Sequence, residues 1–271
     1  MKGRTAIITG AAGGIGKALA RRFAAEGCRL TLVDIREDAL SDMSKTLAAE
    51  YGTESLLCAG DLQEEAFLQR IVQATVDAWG RVDFLVNNAA WRTIETLRTI
   101  SRDNWQKTLD VCLTAPAFLS RMAAEVMQRT GTGGVIINIS SMMADRPAGN
   151  SPAYIAAKAG LEGLTRELSV TYGRNSVRAL CVKPGYIDTD MSRDYVRPSD
   201  EENITDKLAG YLVEATPLKG PGSPDDVAEA VCWLCSPQAS FITGTSLTID
   251  GGFTTNMNSY RMKKLHFPNE Y

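Results

Sequence analysis

The sequence predicts an α/β protein in which one parallel sheet carries helices on both faces. Short apolar runs alternate with longer stretches of helical period along most of the chain, the pattern of strands joined by crossover helices. The first run passes directly into a glycine turn, Gly10-Ala11-Ala12-Gly13-Gly14-Ile15-Gly16. Hydrophobic residues make up 44% of 271, enough for the core of one large domain. Right-handed crossovers make such a sheet doubly wound.

Thr5 to Thr9 reads as a buried parallel strand. The glycine turn follows, then a helical pattern to Glu26. Glycines let a backbone approach a pyrophosphate, and the helix start behind them attracts negative charge. Leu30 to Asp34 is the second strand, and Asp34 falls at its end. A carboxylate there suits the ribose hydroxyls of NAD and repels the extra phosphate of NADP, although Arg36 stands close by. Glu37 to Glu50 reads as helix, Ser55 to Cys58 as strand, Glu64 to Trp79 as helix, and Val82 to Val86 as strand. Asp103 to Gln128 reads as one long helix, and Val135 to Ser140 as a strand. Ala153 to Tyr172 is the next helix, with Pro152 in its first turn and Ser151 as its cap. Val177 to Val182 is a strand, Pro224 to Cys235 a helix, and Ser246 to Ile249 the last strand. Residues 188–219 break this rhythm; long and polar, with a short helical pattern, they read as a lid or binding loop. Residues 253–271 show no clear period and read as a C-terminal extension to a single domain over 1–252.

Composition excludes several classes. The net charge is -3 without a basic cluster, which argues against nucleic acid or an anionic membrane as partner. No run of about eighteen apolar residues suggests a membrane span. The six cysteines, Cys28, Cys58, Cys112, Cys181, Cys232 and Cys235, lie in apolar runs and read as buried small hydrophobes in the reducing cytoplasm. Cys232 and Cys235 have redox-motif spacing but fall inside a helical stretch, and the single histidine, His266, leaves no metal site to propose.

The chemistry centres on Ser141 to Lys158. Tyr154 and Lys158 are four apart and share one helix face. A free tyrosine has a pKa of about 10, too high for a base at neutral pH, and a neighbouring ammonium favours the phenolate. Ser141 follows a strand and offers a hydroxyl to a substrate oxygen.

Taken together and in sequence, Gly10-x-x-x-Gly14-x-Gly16, Asp61, Asn87-Asn88-Ala89, Ser141, Tyr154, Lys158, Pro184-Gly185 and Asp250-Gly251-Gly252 resemble the short-chain dehydrogenase/reductase family, from about residue 3 to residue 252. The resemblance implies a Rossmann-type domain of about seven strands that binds NAD or NADP and interconverts alcohol and carbonyl by hydride transfer. It implies Tyr154 as proton donor or acceptor, Lys158 as holder of the nicotinamide ribose, and Ser141 as positioner of the substrate oxygen. The implied cofactor contacts are Gly10, Gly14, Ile15, Gly16, Asp34, Asp61, Leu62, Asn88, Ala89, Tyr154, Lys158, Pro184, Gly185, Ile187 and Thr189. It also implies pairing into homotetramers through the two long helices.

Three positions depart from the family pattern: Ala90 replaces a usual glycine, Lys183 stands where a small residue is common, and Cys112 replaces an asparagine of the catalytic set. A thiol cannot make the paired bonds of an amide, and Cys112 suits a helix that packs without a break. The expected substrate is a small polar hydroxyl compound, a sugar, sugar acid or polyol. Arg92, Arg146, Arg193 and Arg197 are the candidates to line its site. The competing readings are a 3-oxoacyl thioester reductase and a nucleotide-sensing protein without catalysis.

Overall fold

The computed structural model describes residues 1–193 and 204–270. Seven strands form one sheet: β1 Thr5–Thr9, β2 Arg29–Asp34, β3 Ser55–Ala59, β4 Phe84–Asn87, β5 Gly134–Ile139, β6 Val177–Pro184 and β7 Ser246–Ile249. They run in the order β3-β2-β1-β4-β5-β6-β7, and every pairing is parallel. This is the doubly wound sheet that the alternation predicts. Neighbouring residues of a strand point to opposite faces. Ala6 and Ile8 of β1 therefore pack on one side with Leu19 and Phe23 of helix α1 (Gly14–Ala25), Leu40 and Leu47 of α2 (Glu37–Tyr51), and Val227 and Val231 of α8 (Pro224–Cys235). Ile7 packs on the other side with Phe67 and Ile71 of α3 (Glu65–Trp79) and Leu119 and Ala123 of α5 (Ala115–Thr130). Both faces are covered, so the inner strands β1, β4 and β5 read as near-continuous apolar runs, while the edge strands β3 and β7 are only partly buried.

The chain lays down β1, β2 and β3 outward in one direction, then returns to place β4 on the other side of β1. Their connections leave in opposite directions, which opens a crevice at the carboxyl ends of β1 and β4.

Four expectations change. The stretch read as one helix from 103 to 128 is α4 (Arg102–Leu109), a π turn (Asp110–Thr114) and α5. In that turn the Ala115 N–H bonds the Asp110 carbonyl, five residues back, so Cys112 sits at a break rather than in an unbroken helix. Ser151 does not cap α6 (Pro152–Tyr172) with its side chain; its hydroxyl donates to the Thr93 and Asn150 carbonyls, tying two loops together instead. The C-terminal segment is not featureless: α9 (Tyr260–His266) begins where the Ser259 hydroxyl accepts the Met262 N–H. β4 starts at Phe84, because the buried Asp83 carboxylate takes the Thr5 N–H and Arg81. Within residues 188–219 the described part holds a 3-10 turn at Asp190–Arg193 and α7 at Thr205–Ala215. Among the described residues no helix is long and apolar enough to cross a membrane.

Candidate active site

A cleft of about 400 Å³ opens at this crevice. Its floor on one side is the glycine turn. Gly10 has φ +64°, and a Cβ there would lie 2.8 Å from the Ala89 Cα, so the turn after β1 presses against the turn after β4. Thr9 and Asn88 hold that contact. The Thr9 hydroxyl accepts the N–H groups of Asn88 and Ala89, and the Asn88 amide donates to the carbonyls of Thr9 and Gly10. Helix α1 starts behind the turn at Gly13 without a side-chain cap. Gly14, Ile15 and Gly16 of its first turn line the cleft, and an uncapped first turn is the part of a helix that attracts an anion. A Cβ on Gly14 would lie 2.6 Å from the Thr189 Cγ2 at the start of the lid. A narrow glycine floor with uncapped N–H groups fits the pyrophosphate of a dinucleotide.

Asp34, at the end of β2, lines the same cleft. Its carboxylate accepts the Ala12 N–H at 3.0 Å and, through the other oxygen, the Arg36 N–H at 3.1 Å and Nε at 3.3 Å. The carboxylate is thus fixed to the glycine turn, and Arg36 partly balances its charge. Asp61 and Leu62 do not reach the cleft lining. The Asp61 carboxylate turns instead onto Gln63, accepting its backbone and side-chain N–H groups at 2.9 Å each, just before α3. Asn88, Ala89, Pro184, Gly185, Ile187 and Thr189 all line the cleft.

Ser141, Tyr154 and Lys158 line the same cleft. The register of α6 places Tyr154 and Lys158 one turn apart, with the Lys158 Nζ 5.3 Å from the Tyr154 ring centre. Lys158 is 1% exposed, and its ammonium donates to the Ile139 carbonyl at 2.6 Å. An ammonium has three N–H donors, so this bond fixes its position without using its capacity. Ser140 and Ser141 divide their work. The Ser140 hydroxyl donates to the Lys158 carbonyl and fastens α6 to β5, whereas the Ser141 oxygen accepts the Met143 N–H. The second bond takes a lone pair and leaves the Ser141 hydroxyl hydrogen to be given elsewhere.

Cys112 packs beside Tyr154 and Ala157. Its thiol donates to the Trp91 carbonyl and accepts the Trp91 N–H, both at 3.3 Å. One sulfur thus serves as donor and acceptor to one backbone unit. Burial pushes this thiol up, against the opposing charge of Lys158.

Of the arginines expected around the substrate, Arg92 lines the cleft and donates to the Met191 carbonyl at 2.8 Å, spanning from the loop after β4 to the 3-10 turn Asp190–Arg193. Arg146 does not line it; its guanidinium donates to the Thr254 carbonyl at 2.6 Å and ties its loop to the C-terminal segment. Arg193 pairs with Asp188, and Arg197 lies outside the described residues. Met142, Met143, Tyr186, Met191 and Leu212 also line the cleft. Nothing in their spacing marked them, because they come from short turns, a loop and α7 rather than from one periodic element. Among the described residues no cluster of side chains is suited to a metal ion.

A family model described as enoyl-(acyl carrier protein) reductase matches residues 10–254. A short chain dehydrogenase/reductase of Aspergillus oryzae, astE, is 32% identical over 255 residues, 94% of this chain and 96% of that protein. The crystal structure of levodione reductase superposes with a TM-score of 0.89 at 31% identity, covering 94% of this chain and 99% of that one. The structure of L-sorbose reductase from Gluconobacter frateurii, complexed with NADPH and L-sorbose, gives a TM-score of 0.86 at 29% identity, with 93% and 97% covered. The chain belongs to the short-chain dehydrogenase/reductase family, oxidoreductases that use a nicotinamide cofactor on hydroxyl and carbonyl groups.

Proposed function

We propose that the protein interconverts a secondary alcohol and a ketone with NAD, and that its substrate is a small polar hydroxyl compound. The observation that carries this reading is that one cleft gathers the uncapped glycine turn, Asp34, Tyr154, Lys158 and Ser141. The turn N–H groups would hold the pyrophosphate, Asp34 the adenosine ribose, and Lys158 the nicotinamide ribose. Pro184, Gly185, Ile187 and Thr189 would close over the cofactor from the lid side. When bound, the nicotinamide supplies the hydride acceptor for oxidation and the hydride donor for reduction. Ser141 gives its hydroxyl hydrogen to the substrate oxygen and orients it. Tyr154 takes the proton from that oxygen in oxidation and returns it in reduction. The Lys158 ammonium stands beside the ring, 5.3 Å from its centre. Arg92 is the group that recognises a polar substituent, and the sugar-reducing relative agrees with such a substrate.

Cofactor choice and substrate are tested together. Asp34 faces a 2′-phosphate with like charge, so the protein should bind NAD more tightly than NADP, and Asp34→Ala should weaken NAD and narrow the gap. Intrinsic fluorescence titrations measure both; tighter NADP binding by the parent protein contradicts the reading. The methionine-lined part of the cleft favours one second reading, reduction of 3-oxoacyl thioesters. Turnover of sugars, sugar acids and polyols but not of acyl thioesters supports the first reading, and the reverse supports the second. The family resemblance also leads us to propose a homotetramer, paired through α4–α5 and α6; light scattering of the purified protein measures it.

A further inference from the structure

Lys183 is the penultimate residue of β6, directly before the Pro184-Gly185 that line the cleft, and its side chain is only 10% exposed. Its ammonium donates to the Asp145 carboxylate at 2.6 Å and lies 3.5 Å from that of Glu162. Burial pulls the ammonium down, but Asp145 and Glu162 together outweigh it and hold it charged. Glu162 is on α6, one turn beyond Lys158, and also accepts the Ser246 hydroxyl of β7. Asp145 caps the end of the 3-10 turn Met142–Ala144, whose start is capped by Ser141. A single 3-10 turn has little stability of its own, so its position depends on what holds its ends. One end is the strand β5, and the other is Asp145.

We propose that Lys183 is a positioning residue for Ser141: by binding Asp145 against Glu162 it fixes the turn that carries the serine hydroxyl to the helix that carries Tyr154 and Lys158. The turnover part of this inference rests on the function proposed above, while the positioning itself does not. Without the ammonium, the half-exposed Asp145 carboxylate loses the bond that draws it toward the mostly buried Glu162, and repulsion between the two like charges lets Asp145 swing outward with the turn. Misplacement of a catalytic group by about 1 Å can cost on the order of 100-fold in rate.

The test begins with hydrogen exchange on the full-length protein without ligand. In Lys183→Met, amides of peptide 141–150 should exchange on the order of tenfold faster, while peptide 10–20 stays unchanged; Lys183→Arg should restore protection. Asp145→Asn, at a side chain 45% exposed, should loosen the same peptide without threatening the fold. Unchanged exchange of peptide 141–150 in both Lys183→Met and Asp145→Asn overturns the proposal, as does equal loosening of both peptides. The second readout is turnover with NAD and whichever alcohol the parent oxidises fastest. The kcat should fall at least about tenfold in Lys183→Met, with the Kd for NAD within about twofold of the parent and Lys183→Arg near it. A loosened peptide with undiminished kcat also overturns it. If the parent oxidises no alcohol, the proposed function fails, and hydrogen exchange still decides whether Lys183 holds the turn.

Discussion

The Cys112 thiol gives its hydrogen to the Trp91 carbonyl and takes the Trp91 N–H in return. Sulfur bonds are weak, but here they join the π turn to the loop after β4. Cys112→Asn should therefore change the turnover rate by less than about tenfold, or about 1.4 kcal/mol of barrier. The comparison is made against the parent in ordinary and heavy water. A much larger gain, with loss of a solvent isotope effect, would show that the thiol obstructs proton exchange. At this scale the sequence was legible where chemistry is set by local spacing. Tyr154 and Lys158 share a face because a helix repeats every few residues, and Ser141 is reached by counting from a strand end. Arg146 was not legible: a loop side chain has no period to fix its direction, and it found the Thr254 carbonyl 108 residues away. Lys183 was visible as an oddity, but its partners on other elements were not.

A strand such as β1, buried along its whole length, was readable from its apolar run, since a strand buried on both faces tolerates little else. The π turn was not, because its residues fit an α-helical pattern and only the extra residue in the backbone loop separates the two. Helix α8 shows how a local signal becomes stability. Ser223 accepts the Asp226 N–H, and the Asp226 carboxylate accepts the Ser223 N–H and hydroxyl, a reciprocal cap. Ser223→Ala should lower unfolding free energy by about 1 kcal/mol, read from denaturant midpoints at constant slope. The Ser223 N–H and hydroxyl hold Asp226 below the usual carboxylate range. A depressed folded value means that its contribution is present above the ordinary value of about 3.9 and is lost as pH falls through the folded one. Asp226→Asn should accordingly flatten the acid side of the stability profile, and an unchanged slope there would remove the cap as its source.

Across the whole molecule, the order of strands decides where chemistry happens. The return of the chain from β3 to β4 brings Gly10 against Ala89 and sets the β2 carboxylate, the β4 turn and the α6 pair around one cleft. Alternation of elements was enough to predict the doubly wound sheet, because crossover handedness leaves few alternatives. The closing contacts were beyond the sequence: Arg92 to Met191 and Arg146 to Thr254 join segments about a hundred residues apart. The central claim is that this cleft performs proton exchange at Tyr154 alongside NAD chemistry. It is tested most directly by NADH formation from the alcohol and sugar panel, parent against Tyr154→Phe, with NAD affinity titrated in the same preparations. The account predicts a rate loss of at least about 100-fold with NAD affinity retained; near-full turnover by Tyr154→Phe would contradict it.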